Sequence, residues 1–133
     1  MTYSEIDTQL APLLKDLLYI SESENPVEQL PWDVNSEVEL LKQISDYASV
    51  PQQQLQKQEF TAFFSAVQRS ADPADEAMVA YAQRYKALQD FLEKNLKDLQ
   101  VIKAGSEQVH VFIAGFTIDE NKGLVLHTIA IET

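Results

Sequence analysis

The chain has 133 residues, no cysteine, and 21 acidic against 10 basic residues, a formal net charge of −11. That length makes a single domain, residues 1–133, which buries roughly two-thirds of the surface of its unfolded form without disulfides. The acidity excludes the basic footprint of a direct nucleic-acid binder and attraction to an anionic membrane surface; it predicts a basic protein partner, and the lack of cysteine fits a reducing, cytoplasmic setting.

Ser4 to Leu18 reads as an amphipathic helix, with Ile6, Leu10, Leu13, Leu14, Leu17 and Leu18 near the helical period and Ser4 as its cap. Pro12 predicts a kink or a restart, because proline lacks an amide proton and clashes with the preceding turn. No basic region precedes the apolar run, which Lys15 and Asp16 interrupt, so no secretory signal is expected. Tyr19 to Pro26 follows as a short acidic loop. Ser21, Glu22, Ser23 and Glu24 place two hydroxyls and two carboxylates within four residues, acceptors that suit water, a cation or a basic partner better than a core. The serines can equally serve to initiate a turn. Residues 1–50 carry ten acids and two bases, −8, against eleven acids and eight bases, −3, in the remainder, so the negative field concentrates around this loop; such a field steers a positively charged partner.

Val27 to Trp32 reads as a strand confined to an edge by Pro31, with Trp32 as a core anchor. Ser36 and Glu39 form a capping box that opens a helix facing inward through Val38, Leu41, Ile44 and Tyr47. Pro51 to Gln56 is glutamine-biased and reads as a connection. Phe60 to Val67 predicts a short helix with an aromatic core face. Asp72-Pro73 starts the longest helix, with Asp75 and Glu76 favoured by the positive end of its dipole. Its stripe of Tyr81, Tyr85, Leu88, Leu92, Leu96 and Leu99 runs to about residue 98. Gln100 to Ala104, Val109 to Ile118 and Leu124 to Ile131 then read as a three-stranded antiparallel meander. Both faces of this sheet are apolar, so helices must cover both. The fold class is α+β.

Catalytic chemistry is sparse. The sequence has no cysteine nucleophile, no phosphate-binding glycine loop and no metal-ligand spacing, so neither an enzyme nor a cofactor or metal of its own is expected. If the last turn pairs Ile118 with Leu124, His110 falls opposite Glu132 and His127 opposite Gly115. That would put the two imidazoles roughly 17 Å apart on opposite faces, unable to share a proton. Glu22 and Glu24 lack the glycine and the distal glutamate of an EF-hand.

Two separated stretches carry a family resemblance. Leu17-Leu18-Tyr19-Ile20-Ser21-Glu22-Ser23-Glu24-Asn25-Pro26 with Leu30 and Trp32, and Gln100 to Gly105, Val111 to Gly115, Gly123 and Thr128 to Thr133, resemble the nuclease A inhibitor (NuiA) family. The resemblance implies an α/β/α sandwich that inhibits a sugar-non-specific ββα-metal endonuclease in a one-to-one complex. It further implies that Glu22 and Thr133 enter the nuclease active site, with Thr133 approaching the target's Mg²⁺. Ser21, Ser23 and Glu24 join them as further partner-binding candidates, as does Glu132, which could instead pair with His110. Glu76 stands where the prototype of the family carries an aromatic contact residue. The alternative is an acidic interaction module of the same fold that binds another basic partner and inhibits no nuclease.

Overall fold

The computed structural model describes residues 1–132; Thr133 lies outside the described residues. In chain order the elements are α1 (Tyr3–Leu14), β1 (Leu18–Ile20), β2 (Glu24–Pro26), β3 (Glu28–Leu30), α2 (Glu37–Ala48), a 3₁₀ turn (Gln52–Gln54), β4 (Gln56–Gln58), α3 (Phe60–Arg69), α4 (Glu76–Asn95), β5 (Leu96–Ala104), β6 (Gln108–Thr117) and β7 (Gly123–Ile131). β1 and β2 form a hairpin, and the other five strands form one antiparallel sheet in the order β3-β7-β6-β5-β4. The fold is α+β, as the sequence predicts.

Alternation along the central strands sends successive side chains to opposite faces. Val101, Val109, Val111, Ile113 and Leu126 face a core built with Ile6 and Leu10 of α1, Phe63 and Phe64 of α3, and Tyr85, Leu88 and Leu92 of α4. Ile102, Phe112, Ala114, Phe116 and Val125 face a smaller core closed by Leu40 and Ile44 of α2. Helices thus pack against both faces.

Several local expectations are corrected. Thr2, not Ser4, caps α1: its hydroxyl accepts from the Glu5 amide while the Glu5 carboxylate accepts from the Thr2 amide. The helix ends at Leu14, two residues after Pro12, and Asp16 turns the chain in the left-handed region at φ 57°. Leu18 is therefore strand, and the acidic loop is the tip of a hairpin. Ser36 caps α2 through the Glu39 amide, but the helix is rotated from the predicted stripe: Leu40 and Ile44 are buried while Val38 is 78% exposed. Trp32 is half-buried against the edge of this core, with its ring 5.5 Å from that of Tyr47. The glutamine segment is a connection up to Leu55, and its last residue, Gln56, opens an unexpected edge strand, β4, paired with Val101–Lys103. Asp75 rather than Asp72 caps α4, accepting from the Ala77 and Met78 amides, and the helix yields to β5 after Asn95. A bulge between Lys97 and Gln100, with Asp98 at φ 53°, then shifts the register with β6 by one residue.

The largest correction concerns the β6–β7 turn. The Thr117 amide bonds the Lys122 carbonyl at 2.9 Å, the Thr117 hydroxyl accepts from the Lys122 amide at 2.9 Å, and Asn121 takes φ 51°. This tight closure pairs Gly115 with Leu124 and Phe116 with Gly123, three residues out of step with the expected register. An odd slip exchanges the faces. His110 and His127 consequently share the α2 face as diagonal neighbours, with His110 Nδ1 at 2.9 Å from His127 Nε2 and the Tyr47 ring against both.

Candidate partner-binding surface

The Leu18–Ile20 and Glu24–Pro26 strands are each three residues long, and an isolated hairpin of that size would not persist in water. It is held from two sides. On the helical side, the buried Tyr85 hydroxyl donates to the Leu18 carbonyl at 2.9 Å, and the Tyr81 hydroxyl accepts from the Ile20 amide at 3.1 Å. Tyr19 stacks on Phe63 with ring centroids 5.7 Å apart. Burial, then the neighbouring Tyr81 phenol, pushes Tyr85 well above the usual phenol range; Tyr19 is raised by burial, by Tyr81 and by the Glu132 carboxylate. Both phenols therefore stay protonated at neutral pH.

On the sheet side, the Ser21 hydroxyl oxygen accepts from the Ile131 amide at 3.0 Å, and Thr128 Oγ1 donates to the Asn25 carbonyl at 3.4 Å. Within the tip, the Ser21 amide bonds the Ser23 carbonyl at 2.8 Å and Asn25 Nδ2 donates to Ser23 Oγ at 2.7 Å. The serines thus shape the turn, the role open to them from sequence, while Glu22 and Glu24 are exposed.

The Ser21–Ile131 bond joins residues 110 positions apart and sets the loop carboxylates beside the end of β7. Glu132, the next residue, is exposed; its amide bonds the Glu107 carbonyl at 2.9 Å and its carboxylate lies 3.7 Å from Lys103 Nζ. It pairs with Lys103, not His110. Thr133 follows beyond the described residues. α4 runs antiparallel to β1, since Tyr85 meets Leu18 and Tyr81 meets Ile20. Glu76, five residues before Tyr81, therefore lies about 7.5 Å further along the helix axis toward the hairpin tip.

Residues 4–133 match the sequence model of the family described as nuclease A inhibitor-like protein. The chain belongs to the nuclease A inhibitor-like family. No curated protein matches it. Within this family member the Ser21–Ile131 bond brings the loop that carries Ser21, Glu22, Ser23 and Glu24 beside the strand end that Glu132 follows. Among the described residues no cluster of three or more His, Cys, Asp or Glu could hold a metal, and no helix is long and apolar enough to cross a membrane.

Sequence reasoning overlooked the residues that fix this surface. Tyr81 and Tyr85 were legible as a buried i, i+4 pair; the missing step is that a buried phenol needs a partner for its hydroxyl, and β1 provides two. Asn25 and Lys103 carried no distinguishing signal.

Proposed function

We propose that this chain is a non-enzymatic inhibitor of a sugar-non-specific, metal-dependent endonuclease, binding one-to-one and blocking the active site with Glu22 and Thr133. Family membership supports nuclease inhibition, and the bond between Ser21 Oγ and the Ile131 amide is the observation that carries the finer reading. It gives the loop carboxylate and the residues after Ile131 a common edge from which both can enter one cleft.

The chemistry follows from what a nuclease cleft binds. Its cations and its Mg²⁺ are arranged to hold phosphate oxygens, so carboxylates on a fixed backbone compete as anions that carry no scissile bond. Glu22 projects from the tip, Thr133 approaches the target's Mg²⁺, and Glu24, Glu132 and Glu76 extend the acidic rim. Ser21 and Ser23 set the tip's shape. The net charge of −11 accelerates encounter with a basic cleft.

The test is inhibition of a purified ββα-metal nuclease by the full chain, by Glu22→Ala and by a variant lacking Thr133, with DNA present as competitor. Competitive one-to-one inhibition that weakens at least tenfold in each variant, about 1.4 kcal/mol, is expected. Binding that neither competes with DNA nor responds to the target's metal would instead identify an acidic interaction module.

A further inference from the structure

The last two amides at the end of β7 are held from opposite sides. The Ile131 amide reaches Ser21 Oγ of the hairpin at 3.0 Å, and the Glu132 amide reaches the Glu107 carbonyl of the β5–β6 turn at 2.9 Å. Successive amides of a strand point to opposite edges, so the two bonds grip the strand end between its neighbours. They fix the backbone as far as Glu132 without directing its side chain.

Lys103 supplies that direction. It belongs to β5, and β6 lies between β5 and β7, so its ion pair with Glu132 at 3.7 Å crosses an intervening strand. Register places both side chains on the face of α1, α3 and α4: Lys103 pairs with the buried Val111, and Glu132 follows the buried Ala130 by two residues. Burial separates this lysine from a solvated surface charge. Its side chain is 24% exposed, whereas those of Lys57 and Lys86, paired with Glu37 and Asp90, are 53% and 59% exposed. A partly buried ammonium gives up hydration that its partner must offset. In a chain of net charge −11 that meets a basic cleft, a cation beside the contact surface also opposes attraction. What the position gains is its hold on Glu132.

We propose that Lys103 is a positioning residue for the chain end: by tying the Glu132 carboxylate back to β5, it sets the direction in which the chain continues from β7 into the nuclease. The proposal rests on the inhibitor reading. Lys103 itself makes no contact with the nuclease, and its effect passes through Glu132 to Thr133.

The experiment compares the wild type with Lys103→Met and Lys103→Arg, each with and without Thr133, by the dissociation constant for a ββα-metal nuclease and by hydrogen exchange of the free chain. Thermal melts confirm that the variants fold, and Lys103→Gln replaces Lys103→Met if the latter does not. Lys103→Met makes the net charge −11 − 1 = −12, so steering alone would tighten binding. Loss of the tie does the reverse. Exchange at the Glu132 amide should accelerate and the dissociation constant rise about threefold to fivefold, about 0.7–1 kcal/mol at 1.4 kcal/mol per tenfold, while Lys103→Arg matches the wild type. In the chain lacking Thr133 the same substitution should change affinity no further, an outcome that general destabilisation would not give. Tighter binding by Lys103→Met, unchanged exchange at Glu132, an equal loss with and without Thr133, or an affinity indifferent to Thr133 would overturn the proposal. If removing Thr133 weakens the wild type while Lys103→Met changes neither readout, the inhibitor reading stands and the positioning role falls. A wild-type chain that binds no nuclease overturns both.

Discussion

Replacing His127 with glutamine tests the electrostatics of the α2 face. His127 is 8% exposed and meets His110 at 2.9 Å, an imidazole pair that holds a single bridging proton. Burial, with the adjacent His110 adding to it, lowers His127 from 6.5 to about 4, and burial lowers His110 as well. The groups facing the pair offer little charge to offset this: Tyr47 from α2, Phe112 from β6, Ile102 and Ala104 from β5, and the exposed Glu28 opposite His127 on β3. Because the folded value is depressed, the unfolded chain binds more protons, and stability is complete above pH 6.5 and drains away as the pH falls toward 4. A difference of 6.5 − 4 = 2.5 corresponds to about 3 kcal/mol at 1.36 kcal/mol per pH unit, of which about 2 kcal/mol is lost between pH 7 and 5. Solvent reaching the partly exposed His110 trims that loss to about 1.5 kcal/mol. Glutamine keeps a hydrogen-bonding partner for His110 and cannot titrate. Urea unfolding at pH 7, 6 and 5 leaves the carboxylates ionised in both proteins, so the difference between them isolates the histidine. With a slope of about 1–3 kcal/mol per molar urea, the wild-type midpoint should fall by about 0.5–1.5 M more than that of His127→Gln. Parallel midpoints at all three pH values would refute the buried-pair account.

Two further outcomes follow from the hairpin and the β5–β6 turn. Ser21→Ala unpairs the Ile131 amide, so its hydrogen exchange should accelerate and nuclease inhibition weaken severalfold, at a cost near 1 kcal/mol in global stability; unchanged exchange at Ile131 would show that the tip is held otherwise. Gly105 has φ 111°, and a Cβ there would lie 2.5 Å from the Gln108 carbonyl oxygen, so Gly105→Ala should cost about 1–3 kcal/mol, read as a lower urea midpoint; an unmoved midpoint would mean the turn relaxes freely.

The elements whose period carries one message were legible. Phe60, Phe63 and Phe64 are buried at helical spacing, and the strands of the meander lie within a few residues of their predicted bounds. What failed was decided by single backbone torsions. Asp16, Asp98 and Asn121 all take positive φ, and each shifts a boundary or a register that apolar periodicity alone places elsewhere. Asn121 had the largest consequence, since the turn it closes moved the histidines from opposite faces into contact. Pro51 to Leu55 is the connection its composition predicts, and the strand begins only at Gln56, where the edge of β5, not local propensity, makes it.

The acidic cluster was visible in the sequence as chemistry, and its placement was not. Two serines and two glutamates announce a polar turn, but nothing local says that Ser21 will take its hydrogen from Ile131. That bond, with those from Tyr81 and Tyr85, converts a hairpin too short to stand alone into a fixed projection of the sheet and of α4. A tip already ordered before encounter avoids the entropy of about 0.5–1.5 kcal/mol that each side chain immobilised on binding would otherwise forfeit. Under the proposed inhibition, Tyr85 and Ser21 would act on affinity through the order of the tip. A search confined to the exposed carboxylates would find the proposed contacts and miss what aims them.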